Sequence, residues 1–474
     1  MYGYYKNSKN VLVMSFQLRI SGKHYKILRQ HLFPGDGKEA VAVLLCGRYE
    51  KNELSILLTH KIELIPHNQC KRTEDFISWK TDRIIPLLEE AEKNNMAILK
   101  IHSHPTGYTK FSKIDDKSDN EFFKSVFGWC DYNGVHGSAV MLPTGKIFGR
   151  VFTHEIKNYP FDKVSIAGDI IEIWNKENIT VKDDFSLRTI QAFGNGTYEK
   201  LKQLKVGVIG CSGTGSPTIE QLVRLGVGTL VIIDPDKVEK KNLNRILNTT
   251  MDDANNKRSK VEILSKAIEK IELGTKVISY NQNLYDSKSI LYELITCDII
   301  FGCVDSVDGR HLLSQLTNFY HVPYFDIGVR LDADGSGGIK NILASIHYVQ
   351  PGCSTLLSRG LYTAKRLFDD GLLRQDPIEF AKREKQGYVH NANVDRPAVI
   401  SINMQISSMA INEMLNRLHP FKDNLPDSYA KVMMDYCGGC IENVGEDDFE
   451  QDEIAKKWAG RGDCKPFLRM TELV

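Results

Sequence analysis

No stretch of this 474-residue chain approaches the roughly 18 consecutive apolar residues that a membrane-spanning helix needs. No charge of one sign dominates either. The chain carries 61 Lys and Arg against 60 Asp and Glu, a formal net charge of +1. A nucleic-acid or membrane-surface partner calls for a basic surplus, so neither is expected. With 42% hydrophobic and 26% charged residues, the composition also excludes global disorder. A secretory signal is missing from the sequence as it stands. Residues 1–10 are polar, and the apolar run 11–14 is too short for a signal-peptide core. Ten cysteines are scattered through this long chain, so they are expected to stay reduced, some of them for metal or thiol chemistry. The expected location is cytoplasmic. Met14 is a candidate natural start, because patterned sequence begins at Ser15.

What is present is ordered in two blocks. At about 100–200 residues per domain, the length suggests two or three domains. Residues 16–20 alternate apolar and polar and read as a strand; 22–32 read as a helix. Pro34-Gly35-Asp36-Gly37 signals a loop, and 40–46 and 54–65 read as strands. Residues 75–93 contain an apolar helical pattern broken or kinked near Pro86, 95–102 read as a buried strand and 116–127 as a helix. A closing hairpin turns at Pro143-Thr144-Gly145. This gives a mixed α/β domain over 1–160. A connector follows over 161–187, with a charged, helical-looking stretch at 170–178.

Within the first block, His102-Ser103-His104-Pro105 is followed by Ser112 and Asp115. On a strand, His102 and His104 point to the same side, because side chains alternate with period two. Two imidazoles and a carboxylate make three ligands and leave a fourth position for water, the layout of a catalytic zinc site. Zinc lowers the pKa of its water towards about 7. The pattern resembles the JAMM (JAB/MPN) metalloprotease motif: an upstream glutamate, H-x-H, seven residues, Ser, two residues, Asp. All of these spacings are met here, with Glu39 as the upstream acid. The resemblance implies that His102, His104 and Asp115 bind zinc, that Glu39 takes a proton from the water and that Ser112 steadies the oxyanion. It also implies cleavage of an amide or isopeptide bond at the C-terminus of a ubiquitin-like protein.

The second block opens with a buried strand, 205–210, which runs into Gly210-Cys211-Ser212-Gly213-Thr214-Gly215 and a helix over 216–226. A second apolar strand, 229–234, ends on Asp234. Glycines at that turn let the backbone approach phosphate at a helix N-terminus, and the terminal acid meets a ribose. Asp234-Pro235-Asp236 and Asn242-Leu243-Asn244-Arg245 then resemble the signature of the ThiF-type ubiquitin-activating-enzyme family. That family adenylates the C-terminal glycine of ubiquitin-like proteins with ATP and magnesium. Its usual first motif is G-x-G-G-x-G, with Ser212 in the third position here. The resemblance implies that Gly210, Gly213, Gly215, Asp234, Asp236, Asn242, Arg245 and Lys260 bind the nucleotide, Arg245 also acting catalytically. Asp305, followed by Arg310, would bind magnesium. Arg188 resembles an arginine that one subunit lends to its partner's ATP site, which implies a homodimer. Residues 396–407 resemble a late helix-entry segment of the same family. The adenylation domain is expected over 188–445, with a Rossmann-like fold.

Some relatives also carry two C-x-x-C pairs for structural zinc. Cys437-Gly438-Gly439-Cys440 is one such pair, and only Cys353 marks the other. A second zinc on Cys437 and Cys440 is one reading; a reduced surface turn and a redox pair are the others. Cys353 is the first candidate for a covalent acceptor, against the commoner case of an inert buried thiol. Residues 446–474 read as a solvated acidic tail with a short helix around Trp458. The whole is expected to be a fused bifunctional enzyme of a prokaryotic ubiquitin-like conjugation pathway, with a conjugating enzyme as a further partner. A sulfur-carrier route in cofactor biosynthesis and a non-catalytic ubiquitin-like-binding scaffold are the alternatives. An NAD-dependent oxidoreductase would account for the glycine turn but not for Asn242, Arg245 and Asp305.

Overall fold

The computed structural model describes residues 14–130, 134–177, 184–334, 336–386, 397–471 and 473. Residues 1–13, part of the connector at 178–183, and Arg396 of the late helix-entry segment lie outside them. The chain divides into two compact units. The first takes the chain through Ile166, with Ile173–Glu177 and Gly460–Asp463; the second takes Ala167–Glu172, Asn178–Ala459 and Cys464–Val474.

The first unit contains β1 (Ser15–Ser21), α1 (Gly22–Leu32), β2 (Val41–Lys51), β3 (Leu54–Leu64) and a small hairpin, β4 (Cys70–Arg72) with β5 (Ile77–Trp79). There follow α2 (Ile85–Asn94), β6 (Ala97–Ser103), α3 (Lys113–Trp129), β7 (His136–Met141), β8 (Ile147–Phe152), β9 (Asn158–Pro160), β10 (Lys163–Ala167) and β11 (Ile171–Asn175). Nine of the strands form one sheet, in the order β11-β10-β1-β3-β2-β6-β7-β8-β9. Period-two alternation splits β2 between two cores. Ala42, Leu44 and Cys46 join Leu28 and Leu32 of α1 on one face, while Val41, Val43 and Leu45 join Leu88 of α2 and Phe123 of α3 on the other. A sheet buried on both faces reads as an unbroken apolar run, as β2 does.

Three expectations are corrected here. The helical pattern over 75–93 is neither broken nor kinked at Pro86: β5 precedes a 3-10 turn, and Pro86 stands in the first turn of α2, where its missing N–H costs nothing. The helical-looking 170–178 contains strand β11, with Ile171 and Ile173 buried and the intervening Glu172 half-buried. The connector therefore contributes two strands to the first sheet. The acidic tail is also not wholly solvated. Glu446 is buried and pairs with Arg359 at 2.9 Å, and Gly47 N donates to Gly460 O at 3.2 Å within the first unit.

The second unit contains α4 (Leu187–Gln203), β12 (Lys205–Ile209), α5 (Gly215–Arg224), β13 (Thr229–Ile233), α6 (Met251–Asn255), α7 (Lys260–Ile271), β14 (Lys276–Tyr280) and α8 (Lys288–Ile295). It continues with β15 (Ile299–Gly302), α9 (Val307–Tyr320), β16 (Tyr324–Ala333), β17 (Ile339–Val349), α10 (Ala364–Gln375), α11 (Pro377–Lys385) and α12 (Ile400–Leu418). It closes with β18 (Lys431–Asp435), β19 (Cys440–Val444) and α13 (Glu453–Trp458). The sheet order is β14-β13-β12-β15-β16-β17-β18-β19, parallel from β14 to β16 and antiparallel beyond. Strand order reverses between β12 and β15, so the crevice for a ligand lies at their carboxyl ends. Among the described residues, no helix is long and apolar enough to cross a membrane.

Candidate functional site

In the first unit, β6 carries His102 at its end and His104 just beyond it. His104 N donates to Met141 O at 3.1 Å, which keeps the chain beside β7. The two imidazoles converge, with Nε2 to Nε2 at 3.1 Å. Asp115 reaches them from the first turn of α3. Ser112 caps that helix: its Oγ accepts from Asp115 N at 3.1 Å, and Asp115 Oδ2 accepts from Ser112 N at 2.7 Å. This capping box gives the Ser-x-x-Asp spacing a local cause, and the helix dipole favours a carboxylate there.

Asp115 Oδ1 lies 3.0 Å from His102 Nε2, and Oδ2 lies 3.5 Å from His104 Nε2. Ligands at zinc–nitrogen distances of about 2.05 Å sit about 3.3 Å apart in a tetrahedron. The three donors therefore fit one small divalent cation. Glu39 Oε1 stands farther off, 3.9 Å from His104 Nε2. Glu39, His102 and His104 also bring one ligand atom each within 4.8 Å of one another. Asp115 nevertheless approaches both histidines more closely than Glu39 approaches His104. His104 Nδ1 donates to Tyr108 O at 2.7 Å, which turns the Nε2 lone pair towards the centre.

The electrostatics fit the same arrangement. Burial pushes the Glu39 carboxyl up to about 7, with Asp115 and Asp75 adding to the shift and His104 opposing it. Burial lowers His102. Burial also acts to lower His104, but Asp115, the Tyr108 carbonyl and Glu39 outweigh it, and the net shift is upward. Burial would raise Asp115, but hydrogen bonds from both histidines hold it well below the usual carboxylate range.

The β4–β5 hairpin was not foreseen from the sequence. Glu39 N donates to Thr73 O at 2.8 Å, and Arg72 Nε donates to Glu39 O at 2.6 Å. Both main-chain groups of Glu39 are thus held by this hairpin. Phe76 and Trp79 from the same hairpin wall a cleft that runs down to Glu39, His102 and Asp115.

In the second unit the site is built from backbone. Gly210 has φ +88°, and a Cβ there would meet Cys303 O at 2.4 Å. A Cβ on Gly215 would meet Gly210 O at 1.8 Å. Only glycine allows this turn to close against β15. Asp234 Oδ2 accepts from Cys211 N at 2.7 Å and Oδ1 from Asp236 N at 2.8 Å, so the acid also orders the loop. Lys260 Nζ lies 2.8 Å from Asp236 Oδ2 and 3.4 Å from Asp234 Oδ1, and these carboxylates raise its pKa against the effect of burial. Asn242 Oδ1 accepts from Glu239 N at 3.0 Å, and Arg245 Nη1 donates to Lys241 O at 2.8 Å.

A Cβ on Gly213 would meet Asn403 Nδ2 at 2.4 Å and Arg245 Cδ at 3.3 Å. Asn403 of α12, which the sequence had not singled out, thus joins Arg245 over the loop. Asp305 follows β15 with an exposed carboxylate that makes no hydrogen bond or ion pair among the described residues. Together these elements are a glycine turn at the start of α5, two cations and two side-chain amides around it, and an exposed carboxylate on the link that follows β15.

Residues 186–429, just over half of the chain, match the model of the ThiF family. This chain belongs to the ThiF family. Residues 21–145 match the model of prokaryotic homologs of the JAB domain. The architecture is therefore mixed α/β, with a JAB-like domain followed by a Rossmann-type ThiF domain. Ubiquitin-like modifier-activating enzyme 5 of Aedes aegypti is 29% identical over 198 residues, 39% of this chain and 47% of that protein. The enzyme of the same name from Culex quinquefasciatus is 31% identical over 166 residues, 33% of this chain and 39% of that protein. The matched part thus spans less than half the length of these relatives. Among solved structures, E. coli MccB with AMPCPP and MccA gives a TM-score of 0.45 at 15% identity, covering 59% of this chain and 74% of that one. MccB with ATP gives 0.40 at 17%, covering 56% and 72%.

Four sequence candidates remain. Arg188 stands at the start of α4, where Nη1 donates to Gln191 Oε1 at 3.0 Å. Cys353 is 5% exposed. Cys437 and Cys440 of the ThiF unit are both exposed, and among the described residues they belong to no cluster of three metal-binding groups.

Proposed function

We propose that the chain is a bifunctional enzyme. Its ThiF domain adenylates the C-terminal glycine of a ubiquitin-like protein with ATP and magnesium. Its JAB-like domain hydrolyses a peptide or isopeptide bond at such a C-terminus. The observation that carries this reading is the convergence of His102, His104 and Asp115 at 3.0 to 3.5 Å, in one chain with a glycine turn packed against the link that carries the exposed Asp305.

In the JAB-like domain, His102, His104 and Asp115 would hold zinc, which supplies a Lewis acid and an acidified water. Glu39, with its carboxyl held near 7, takes a proton from the attacking water and delivers it to the leaving amine. The Ser112 hydroxyl accepts from Asp115 N and keeps its own hydrogen for the developing oxyanion. In the ThiF domain, the loop amides at Gly213 and Gly215 take the phosphates, and Gly210, whose own N–H donates to Ile233 O at 2.8 Å, lets the turn close. Asp234, Asp236 and Asn242 order the loop and its neighbours. Arg245 and Lys260 offset the charge that develops as pyrophosphate leaves, and Asp305 would hold the magnesium that neutralises the rest. Arg188 serves a partner subunit's site in a homodimer. Burial of Cys353 favours an adenylate handed on to a conjugating partner over a thioester formed on this chain. The same burial supports a second reading, activation of a sulfur carrier, which needs no thioester. A cytoplasmic location suits either route.

ATP–pyrophosphate exchange with purified chain and candidate ubiquitin-like proteins tests the first activity. Exchange is expected with one of them and is lost in Asp305→Ala. The same protein, extended beyond its terminal glycine, should be trimmed by wild type and not by Glu39→Ala. Cleavage by Glu39→Ala at the wild-type rate would overturn the proton-transfer role. A persistent thiocarboxylate product would favour the second reading.

A further inference from the structure

The loop that carries Asp305 is gripped from two sides by side chains to which the mechanism above gives no task. β15 ends at Gly302 and α9 begins at Val307, so Asp305 sits in a four-residue link. On one flank, Arg310 Nε donates to Val304 O at 3.0 Å. The same guanidinium lies 3.4 Å from Asp326 Oδ1, a buried carboxylate on β16 that also accepts from Tyr324 Oη at 2.6 Å. On the other flank, Asp370 Oδ2 from α10 accepts from Val307 N at 2.9 Å. The Val304–Asp305 and Ser306–Val307 peptide groups are therefore anchored, and among the described residues the Asp305 carboxylate between them makes no hydrogen bond or ion pair.

We propose that Asp370 and Arg310 are positioning residues that aim the Asp305 carboxylate at magnesium. This rests on the reading of Asp305 as the magnesium carboxylate. The amide of Val307 is the first of α9, and first-turn amides have no partner within a helix. Ser306 Oγ accepts from Gly309 N at 3.3 Å, which leaves Val307 N to Asp370. A carboxylate at this end of the helix is favoured by the helix dipole. Magnesium demands near-ideal octahedral geometry and gives up water reluctantly, so a carboxylate displaced by a fraction of an ångström binds it less well. An exposed Asp305 gains no fixation from packing, and its aim is set by its backbone. If Asp370 were merely a helix cap, removing it would move the melting temperature and leave the magnesium dependence alone.

The test measures equilibrium binding of ATP to the full chain by calorimetry over a magnesium series, with magnesium-free ATP as the baseline. Asp370→Ala is expected to raise the magnesium concentration at half-maximal effect by roughly three- to tenfold, the effect of a lost cap expressed in affinity. Magnesium-free binding should not change. Asp370→Asn keeps an acceptor oxygen and should recover part of the loss. Asp370 is the variant of choice because Arg310 also pairs with the buried Asp326, which its removal would leave unpaired. Wild-type binding with no response to magnesium would sink the role of Asp305 and the proposal with it. A wild-type response that Asp370→Ala shares unchanged would leave Asp305 standing and overturn the positioning role alone.

Discussion

The two sites are built from different material. In the JAB-like domain the converging groups are side chains, two imidazoles and two carboxylates, all buried, with His102 on a strand paired on both sides. In the ThiF domain the centre is backbone, a glycine turn that passes within contact of the next strand's end, and the charged side chains stand around it. A side-chain site fails when a donor is removed, whereas a backbone site fails when an atom is added. Truncation and methyl addition should therefore separate the two domains.

The largest effect is expected from removing a donor. His102→Ala takes away one corner of the triangle and leaves the buried Asp115 short of its 3.0 Å partner. Loss of a hydrogen-bonding neighbour of a metal ligand already costs about 10- to 100-fold in metal affinity, so loss of a ligand should cost at least about 100-fold. Metal analysis after dialysis should show about one zinc per wild-type chain and a small fraction of that in the variant. Magnesium-dependent ATP binding should be unchanged. If zinc stayed at the wild-type level, the triangle would not be the metal site.

Adding an atom to the second site comes next. Gly215→Ala places a methyl 1.8 Å from Gly210 O, and a backbone oxygen cannot step aside without moving the turn. A stability loss of about 3 kcal/mol and at least a tenfold loss of ATP affinity are expected. Gly213→Ala is the control. Its methyl meets the end of the Asn403 side chain, which can rotate away. The stability loss should be about 1 kcal/mol, and ATP binding should weaken through displaced Asn403 and Arg245. Equal effects at the two glycines, read by thermal melts and calorimetry, would undo the distinction between backbone and side-chain contacts.

A smaller effect should come from Arg72, which holds Glu39 and makes no hydrogen bond to His102, His104 or Asp115 among the described residues. Arg72→Ala frees the Glu39 carbonyl and loosens the cleft wall. Cleavage of an extended ubiquitin-like protein should fall about tenfold in kcat with KM little changed, a loss of about 1.4 kcal/mol in the transition state. Zinc content should stay at the wild-type level, and Arg72→Lys should recover part of the rate. A loss of zinc in Arg72→Ala would show that the hairpin supports the metal site rather than the base.

The two sites also differ in how far their sequence announced them. The histidines, Ser112 and Asp115 were legible because each spacing has a local cause: strand alternation for the pair, a capping box for Ser-x-x-Asp. The glycine turn was legible because strand, turn and helix succeed one another within the span 205–224. The partners that finish each site come from far along the chain. Arg72 lies on a hairpin too short and polar to show a period. Asn403 and Asp370 meet the glycine turn and the Asp305 link only through tertiary packing. Strand β11 was misread because its charged neighbours mask two buried isoleucines, and α2 because proline was taken as a break rather than a start.

The smallest effect is expected at Cys437 and Cys440. If this pair closed a structural zinc site, its removal would cost folding energy outright, since such sites contribute to stability. A closed tetrahedral site needs four ligands, and both thiols are exposed, with no cluster of metal-binding groups around them among the described residues. Asp435 Oδ1 accepts from Cys437 N at 2.9 Å and Gly438 N at 3.0 Å, so the turn between β18 and β19 is already held by ordinary hydrogen bonds. The double variant Cys437→Ser, Cys440→Ser should therefore melt like the wild type, within about 0.5 kcal/mol, and keep the single zinc of the JAB-like domain. Two zincs per wild-type chain falling to one in this variant would give the ThiF domain a metal-built element of its own, and the contrast between a side-chain site and a backbone site would hold only for the nucleotide loop.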